Sequence, residues 1–391
     1  MELDPHTPKC GKYIIHSLYF DDYKDTSVYT TDSVQLNLNN VSITSTNGPA
    51  INIIEADVVN IVLTGKNTIK SNTTEELDGA IYSKADLVFS GTGSLNIESN
   101  YDGIVSKDTV VFKSGTYNIT SKDDGIRGKD NVAIIDGTFN ITASGDGIKS
   151  TNEEDSTKGY VAIDGGTFKI NSVTDSIQAE TNVVIKGGNF TLTTSGSSSL
   201  LSSKGIKASS LLSISNGTFV INATDDGIHS NGDLVIDGGT FTITSKDDGI
   251  HADGMVTINS GTITISASEG IEATYVKIND GVINISSSDD GINAGNKSTK
   301  YTVTIEINGG TITIKMGSGD TDGIDSNGNL YINGGTINII GNSPFDYDGE
   351  AKYTGGTIIV NGETTNSITN QMMGGGGFGG GRQGDMGRRM R

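Results

Sequence analysis

Apolar and polar residues alternate along this chain in short runs that are separated by turn-forming residues. One run, Gly-Thr followed by an aromatic residue or Ile, a polar residue and Ile, returns through most of the sequence, as in residues 137–141 (GTFNI) and 239–243 (GTFTI). A second short run precedes it, such as residues 234–236 (LVI). A period of two is typical of half-buried β-strands, and the repeated region shows no long helical period. The pattern predicts an all-β chain.

The strands are punctuated by a tripeptide, Asp-Gly-Ile, that recurs about every 22 residues. Its copies begin at Asp102, Asp124, Asp146, Asp226, Asp248, Asp290 and Asp322. The leucine pattern of leucine-rich repeats is missing, and propeller blades have a period of about 40 residues. A helix-free repeat of this length is typical of a solenoid in which each coil pairs with the next. We therefore expect a right-handed parallel β-helix with coils of about 22 residues.

The regular region has irregular flanks and three insertions. Insertions lengthen the repeat at residues 151–159, 195–203 and 295–300, and insertions on one side of a solenoid often shape its binding face. Residues 1–30 break the pattern and are expected to form an irregular cap or a segment close to a removed leader. The β-helix is expected over 31–365. The glycine- and arginine-rich segment 366–391 is expected to be a disordered tail, because it has too little to bury.

The chain is strongly acidic, with 27 basic and 47 acidic residues and a net charge of −20. This charge repels nucleic acid and anionic membranes, so we expect neither as a partner. No run is long and apolar enough for a transmembrane helix. The first 20 residues lack the pattern of a secretion signal, so either the protein is cytoplasmic or a leader is missing from this sequence. The single Cys10 says nothing about the compartment.

Several copies of the tripeptide carry a second aspartate directly before the first. These doublets are Asp123-Asp124, Asp225-Asp226, Asp247-Asp248 and Asp289-Asp290. One aspartate before glycine makes a good turn, and a turn alone is the simpler interpretation of any single copy. Two carboxylates at each corner exceed what a turn needs, and stacked coils would hold them about 4.8 Å apart. A divalent cation between them would remove the repulsion between these like charges.

Adjacent coils define three candidate metal clusters. The first contains Asp102, Asp123, Asp124 and Asp146; the second contains Asp225, Asp226, Asp247 and Asp248; the third contains Glu269, Glu272, Asp289 and Asp290, with an extension to Asp322 and Asp325. Oxygen ligands favour Ca²⁺ over zinc or copper, and an irregular corner suits Ca²⁺ better than octahedral Mg²⁺. We rank the second cluster first, because it has two adjacent doublets.

Basic residues occupy the same strip of the predicted solenoid. His229 and His251 each lie three residues after an aspartate of the repeat and are expected to stack. Two histidines without a third matched ligand make a weak zinc site, so ion pairs with the aspartates are the favoured interpretation. Arg127, Lys149, Lys204 and Lys207 also lie on this strip. They either form salt bridges with the acids or meet a ligand.

Five segments carry a resemblance to a known family: residues 102–107 (DGIVSK), 123–129 (DDGIRGK), 157–160 (TKGY), 203–208 (SKGIKA) and 225–231 (DDGIHSN). Their order resembles that in the clostridial secreted carbohydrate-binding β-helix proteins, which bind cellulose and polygalacturonate. That family in turn resembles the calcium-dependent pectate lyases of the ninth polysaccharide lyase family. The resemblance implies Ca²⁺ as cofactor, acidic and neutral plant cell-wall polysaccharides as partners, and an extracellular or cell-surface location.

Three functions remain open from the sequence. The first is calcium-dependent, non-catalytic polysaccharide binding, for which the candidate carbohydrate-binding residues are Lys149, Lys204, Lys207, His229, His251 and Tyr160. The chain has no tryptophan for stacking on glucose rings, so the sequence supports polygalacturonate as a ligand better than it supports cellulose. The second is a pectate lyase with Lys149 or Arg127 as the base. The third is a surface protein that calcium only stiffens. A monomer is the simplest oligomeric state.

Overall fold

The computed structural model describes residues 12–15, 27–196, 202–318 and 321–370. Short strands and turns make up these ranges, which contain no helix and therefore none that could cross a membrane. The strands form a parallel β-helix, which confirms the predicted all-β solenoid. Most of the predicted N-terminal cap (1–30) and of the predicted tail (366–391) lies outside the described residues, as do positions 197–201 of the second insertion.

A coil contributes one strand to each of three parallel ladders, which we call faces one, two and three in the order that follows Asp-Gly-Ile. Face one contains Ser27–Tyr29, Ile51–Glu55, Gly79–Ser83, Asp102–Ser106, Ile126–Gly128, Ile148–Ser150, Ile177–Ala179, Ile206–Ala208, Ile228–Ser230, Ile292–Ala294, Asp322–Ser326 and Ser343–Tyr347. In two coils a single strand, Ile250–Ile258 or Ile271–Ile278, serves both face one and face two.

The other two ladders complete the triangular coil. Face two contains Lys12–Ile15, Val34–Asn39, Val58–Thr64, Asp86–Gly91, Thr109–Phe112, Asn131–Ile134, Tyr160–Ile163, Asn182–Ile185, Leu211–Ile214, Asp233–Ile236, Thr304–Ile307, Asn329–Ile332 and Ala351–Tyr353. Face three contains Ser42–Ser45, Lys66–Ser71, Ser94–Ser99, Thr116–Ser121, Thr138–Ala143, Thr167–Ser172, Asn189–Thr194, Thr218–Asn222, Thr240–Thr244, Thr262–Ala267, Val282–Ser287, Thr311–Met316, Thr336–Ile340 and Thr357–Val360. The strand Glu363–Thr365 pairs antiparallel with Thr357–Val360 at the C-terminal end of face three.

The core consists of ladders of like residues. The isoleucine of Asp-Gly-Ile is fully buried, as at Ile126, Ile148 and Ile228. On face three the rings of Phe190, Phe219 and Phe241 stack at centroid distances of 4.6 Å. A fully buried side chain of this size contributes about 1.5–3 kcal/mol, so repetition lets a thin core hold a long chain together.

Two kinds of glycine shape the corners. Gly217 and Gly239, in the Gly-Thr run, have φ values of 137° and 107°, a region that favours glycine. The glycine of Asp-Gly-Ile is needed for a different reason. A Cβ at Gly227 would lie 2.3 Å from Cγ2 of Ile243 and 2.6 Å from the carbonyl oxygen of Gly249 on the next coil. The tripeptide therefore marks a close approach of neighbouring coils.

Candidate metal and carbohydrate site

The aspartates of the repeat form a column at the corner between faces three and one. The aspartate column consists of Asp102, Asp124, Asp146, Asp175, Asp226, Asp248, Asp290 and Asp322, with Lys204 and Glu269 in the equivalent positions of two coils. Asp175 escaped the sequence prediction because its coil reads Asp-Ser-Ile. The 29-residue spacing from Gly147 to Ser176 was the signal that could have found it.

In most aspartates of this column, one carboxylate oxygen accepts a hydrogen bond from a backbone N–H of the next coil. The backbone N–H of Asp146 donates to Oδ1 of Asp124 at 2.7 Å, and that of Asp248 donates to Oδ1 of Asp226 at 3.1 Å. Four more such bonds run from Asp124 to Asp102, from Asp175 to Asp146, from Lys204 to Asp175 and from Asp322 to Asp290. These bonds satisfy backbone groups that would otherwise be left unpaired at the corner.

Basic side chains meet the second oxygen of several aspartates. The cation column consists of Arg127, Lys149, Lys207, His229 and His251, which are aligned on face one with Gln178 between Lys149 and Lys207. Lys149 Nζ lies 2.7 Å from Oδ2 of Asp146, and Nδ1 of His229 lies 2.8 Å from Oδ2 of Asp226. Much of the acidic column is therefore neutralised by the chain itself.

In the first predicted cluster, carboxylate oxygens of Asp102, Asp123 and Asp124 lie within 4.8 Å of one another. Arg127 Nε is 2.8 Å from Oδ2 of Asp102, and the guanidinium also contacts Asp78. The fourth predicted ligand, Asp146, pairs with Lys149. Burial raises the pKa of Asp124 to about 7, although Lys149 opposes the shift. This cluster already contains cationic side chains.

In the second predicted cluster, Asp225, Asp226 and Asp247 come together, again within 4.8 Å. The ammonium group of Lys204 lies 2.5 Å from Asp225 and 3.1 Å from Asp226. Burial would raise the pKa of Asp226, but the hydrogen bond with His229 and the charge of Lys204 hold it below its usual range. The fourth predicted ligand, Asp248, faces His251 instead. A metal ion here would compete with Lys204.

The two histidines stack as expected, with ring centroids 4.7 Å apart and planes 10° from parallel. Nδ1 of His251 lies 2.7 Å from Asp248 and 2.9 Å from Glu272. Burial would lower the pKa of His251, but these hydrogen bonds outweigh it and raise the pKa to about 10. Asp226, His229 and His251 each offer a ligand atom within 4.8 Å of the others. Nδ1 of each histidine is already paired with a carboxylate, so ion pairs remain the favoured interpretation over a zinc site.

The third predicted cluster divides into two parts. Glu272 turns towards His251 and towards Lys297, whose Nζ is 2.7 Å away. Burial raises the pKa of Glu269 to about 7, and nearby acids reinforce the shift against a hydrogen bond from Asn293. The side chain of Asp289 is exposed to solvent.

The remaining part, which we call the C-terminal acidic group, consists of Asp290, Asp322, Asp325, Asp346 and Asp348. Burial, and then the charges of the other four carboxylates, raise the pKa of Asp325 to about 7. Among the described residues no lysine, arginine or histidine forms a salt bridge with Asp325. The sequence prediction missed Asp346 and Asp348 because their coil lacks Asp-Gly-Ile, although residues 346–349 (DYDG) carry a related signal.

Among the described residues, three carboxylate oxygens come within 4.8 Å of one another only in the first and second clusters, whereas the C-terminal acidic group is distinguished by the lack of a salt bridge at Asp325. All side chains of this group offer oxygen ligands, and Oδ1 of Asp346 is a buried atom without a hydrogen-bond partner among the described residues. An oxygen in that state is suited to a metal ion, which takes several oxygen ligands. Because Lys204 competes in the second cluster, we prefer the C-terminal acidic group as the candidate calcium site.

Five of the six predicted carbohydrate-binding residues lie together. Lys149, Lys207, His229 and His251 belong to the cation column, and Lys204 lies beside it in the aspartate column. Their side chains are 10–28% exposed, so a ligand on face one can reach their outer atoms. Tyr160 is separate, because it begins a strand of face two after the insertion at 151–159.

A search of curated proteins gave no match. A solved structure, that of the polysaccharide lyase-like protein from C. thermocellum in a gadolinium derivative, is 26% identical. The alignment covers 54% of this chain and 90% of that chain with a TM-score of 0.44. A family model described as carbohydrate-binding domain-containing protein matches residues 11–249 and 244–371. Because the family model matches most of the sequence, the chain belongs to the carbohydrate-binding domain-containing family.

Proposed function

We propose that the chain binds acidic cell-wall polysaccharide, with polygalacturonate as the representative ligand, through Ca²⁺ held at the corner between faces three and one. Binding is non-catalytic and takes place outside the cell or at its surface, where such polymers occur. The observation that carries this proposal is the position of Asp325 in the C-terminal acidic group, where four other carboxylates are its charged neighbours and Asp325 forms no salt bridge with a described basic residue.

Charge explains why calcium is required. A chain with a net charge of −20 repels a polyuronate, whereas Ca²⁺ coordinated by Asp290, Asp325 and Asp346 can accept oxygen ligands from a sugar carboxylate as well. The cation column lies further along the same face, where Lys149 and Lys207 can donate charge-assisted hydrogen bonds to further sugar carboxylates. One extended polymer running along the solenoid axis can reach both regions.

The structure gives the lyase alternative less support. A general base must lose its proton near the working pH. Burial would lower the pKa of Lys149, but Asp124 and Asp146 outweigh it and raise the pKa above its usual value. Arg127 is held charged in the same way by Asp102 and Asp78. Both candidate bases therefore stay protonated and act as cations.

Co-sedimentation with insoluble polygalacturonate tests the proposal. We expect the full chain to be retained in calcium, released by a chelator, and to form no unsaturated product absorbing in the ultraviolet. The variant with Asp290→Asn and Asp325→Asn should stay in solution.

The matched control is Asp136→Asn with Asp280→Asn, which removes two exposed turn charges. Asn216 makes the equivalent turn hydrogen bond to Gly217, so asparagine fits these positions. The control variant should be retained like the wild type. A chain that stays in solution under every condition would refute binding, and product formation would favour the lyase. A calcium-dependent rise in stability without retention would favour the surface protein that calcium only stiffens.

A further inference from the structure

The arginines of this chain are concentrated near its C-terminus. Of the 27 basic residues only five are arginines, and four of these lie within residues 382–391 (RQGDMGRRMR), which we call the arginine segment. The segment contains one acidic residue, Asp385, and no lysine. In the rest of the chain Arg127 is the only arginine, and lysine takes every other such position. The segment therefore differs from the acidic solenoid in the sign of its charge and in the type of its cation.

The last coils of the solenoid carry the opposite charge. Residues 321–370 contain six acidic side chains and one lysine, Lys352. Lys352 lies on face two and pairs with Glu350 at 2.7 Å. On face one, no described basic residue forms a salt bridge with Asp325, and Oδ1 of Asp346 is buried without a described hydrogen-bond partner. This end of face one therefore lacks the cations that its other end has.

The last described residue, Asn370, lies beside the C-terminal acidic group. Its Nδ2 donates a hydrogen bond of 2.7 Å to the carbonyl oxygen of Tyr347, which lies between Asp346 and Asp348 in the sequence. Tyr347 Oη in turn donates to the carbonyl oxygen of Ile368 at 3.3 Å. These two bonds fix the point from which the chain continues towards the arginine segment.

The connection to the arginine segment is long enough to reach the whole acidic group. Residues 371–381 (QMMGGGGFGGG) lie between Asn370 and Arg382, and eleven residues span at most about 36–40 Å. The acidic group extends over three successive coils, a distance of about 10 Å. Seven of the eleven residues are glycines, whose lack of a side chain permits close approach to a surface. A short connection gives a local concentration on the order of millimolar, so weak contacts suffice for docking.

Arg127 shows how a guanidinium group fits this surface. It lies on the outward row of face one that continues, coil by coil, to Asp325 and Asp346. Its Nε lies 2.8 Å from Oδ2 of Asp102, and the same group contacts Asp78 of the preceding coil. A planar guanidinium with several donors can bridge carboxylates of adjacent coils in this way. Arginines from outside the solenoid can make the same contacts at its C-terminal end.

We propose that the arginine segment docks on the C-terminal acidic group of its own chain when calcium is absent, and that calcium displaces it. Docking rests on charge, reach and guanidinium chemistry, whereas the role of calcium rests on the calcium site proposed above. The two cations compete because both need the oxygens of Asp325 and Asp346. Docking therefore lowers the apparent affinity for calcium and sets the calcium concentration at which the polysaccharide is bound.

Other occupants fit this surface less well. The nearest lysine in the sequence, Lys352, is already paired on another face. The arginine segment of a second chain is attached to a body of net charge −20, which repels the first chain, and it lacks the local concentration of the chain's own segment. An anionic membrane would attract the segment but repel the solenoid.

Trypsin cleavage after Arg382, measured by mass spectrometry in a chelator at pH 8 and low salt, tests docking in the full chain. The arginine variant carries Arg388→Gln, Arg389→Gln and Arg391→Gln, which lie beyond the last strand, Glu363–Thr365, and keep the cleavage site. The acidic variant carries Asp325→Asn and Asp346→Asn. The control variant carries Asp136→Asn and Asp280→Asn, which remove two charges from exposed turns. Synthetic peptides of residues 371–391, with either sequence, give the rate for an undocked segment in each buffer.

We expect cleavage of the wild type to be at least about fivefold slower than that of its peptide, because cleavage follows the undocked fraction. The arginine variant and the acidic variant should approach the peptide rate, and the control variant should match the wild type. Saturating calcium should bring the wild type to the peptide rate.

Wild-type cleavage at the peptide rate in the chelator would overturn docking. Unchanged protection in the arginine variant or the acidic variant, or an equal loss of protection in the control variant, would overturn docking at this group. Protection that calcium leaves unchanged would overturn the displacement. Retention on polygalacturonate tests the proposed function separately, and the arginine variant should be retained at a lower calcium concentration than the wild type. A wild type that is protected in the chelator but never retained would refute the proposed function and leave docking in place.

Discussion

The backbone N–H of Asp124 donates a hydrogen bond of 2.8 Å to Oδ1 of Asp102, one coil earlier in the solenoid. The bond uses one carboxylate oxygen to hold two coils in register and leaves the other oxygen for a counter-ion or a ligand. Along the column that second oxygen meets arginine, lysine or histidine in several coils. Asp325 lies instead on face one, in line with the cation column, and other carboxylates are its charged neighbours. We therefore expect a metal ion near Asp325 rather than at a corner whose aspartate is already paired with a cation.

Replacing Asp124 should separate these two roles. Asp124→Ala removes the acceptor of the Asp146 N–H, and an unsatisfied buried donor costs about 1–3 kcal/mol. Asp124→Asn keeps an Oδ1 acceptor and removes a buried charge, so its free energy of unfolding should stay close to that of the wild type. Urea unfolding of both variants at pH 8 measures the difference. Equal loss in the two variants would contradict the role of Oδ1.

Removing Arg127 should destabilise the first cluster strongly. Asp102 is 1% exposed, and breaking a buried pair by removing one partner costs about 3–5 kcal/mol. Adding Asp102→Asn to Arg127→Ala should recover a large part of this loss, because the stranded charge disappears. A double-mutant cycle by urea unfolding at pH 8 tests the coupling. Additive effects of the two substitutions would show that the pair is not coupled.

Calcium should stabilise the chain through Asp325. At a concentration one hundred times its Kd, an ion that binds only the folded state adds about 2.7 kcal/mol. The unfolding temperature of the wild type should therefore rise with calcium, while that of Asp325→Asn should rise much less. In a chelator at pH 8, the asparagine variant should be the more stable, because it lacks one buried like charge. An equal calcium response in both chains would place the ion elsewhere.

Stability without calcium should fall as the pH rises above about 5. The folded-state pKa values of Asp124, Glu269 and Asp325 are raised to about 7 by burial first, so the folded state binds more protons than the unfolded state between pH 4 and 7.

His251 acts in the same direction at higher pH. Its pKa is raised to about 10, so the stability it contributes is complete below pH 6.5 and is lost as the pH approaches 10. Hydrogen bonds with His251 and Lys297 outweigh the burial of Glu272 and lower its pKa to about 2, so its contribution is lost as pH falls below about 4.5. Thermal unfolding in a chelator from pH 3 to 10 should show a maximum near pH 5. A maximum above pH 8 would contradict these shifts.

The fold could be predicted because every coil obeys the same local rule. Alternation in runs such as residues 239–243, a close-approach glycine after most corner aspartates and a spacing of about 22 residues in most coils all indicate stacked short strands. The cluster memberships of Asp102 with Asp124, and of Asp226 with Asp247, followed from adjacency of coils and are present in the structure. Periodicity therefore determines which residues are neighbours.

The electrostatic character of each corner could not be predicted in this way. Lys204 occupies the position of an aspartate in the column, and its long side chain contacts both Asp225 and Asp226. Asp346 joins the C-terminal acidic group although its coil lacks the tripeptide. Both effects depend on side-chain conformation and on irregular coils, which a repeat pattern does not specify.

The most direct test of calcium bridging is calorimetric titration of calcium into the full chain with and without a short oligogalacturonate, with a blank titration into the oligosaccharide subtracted. Linkage requires that the sugar strengthen calcium binding by the same factor as calcium strengthens sugar binding. We predict a rise in calcium affinity of at least about tenfold, or about 1.4 kcal/mol, in the wild type and none in the Asp290→Asn, Asp325→Asn variant. Equal calcium affinity in the presence and absence of the sugar would contradict the account.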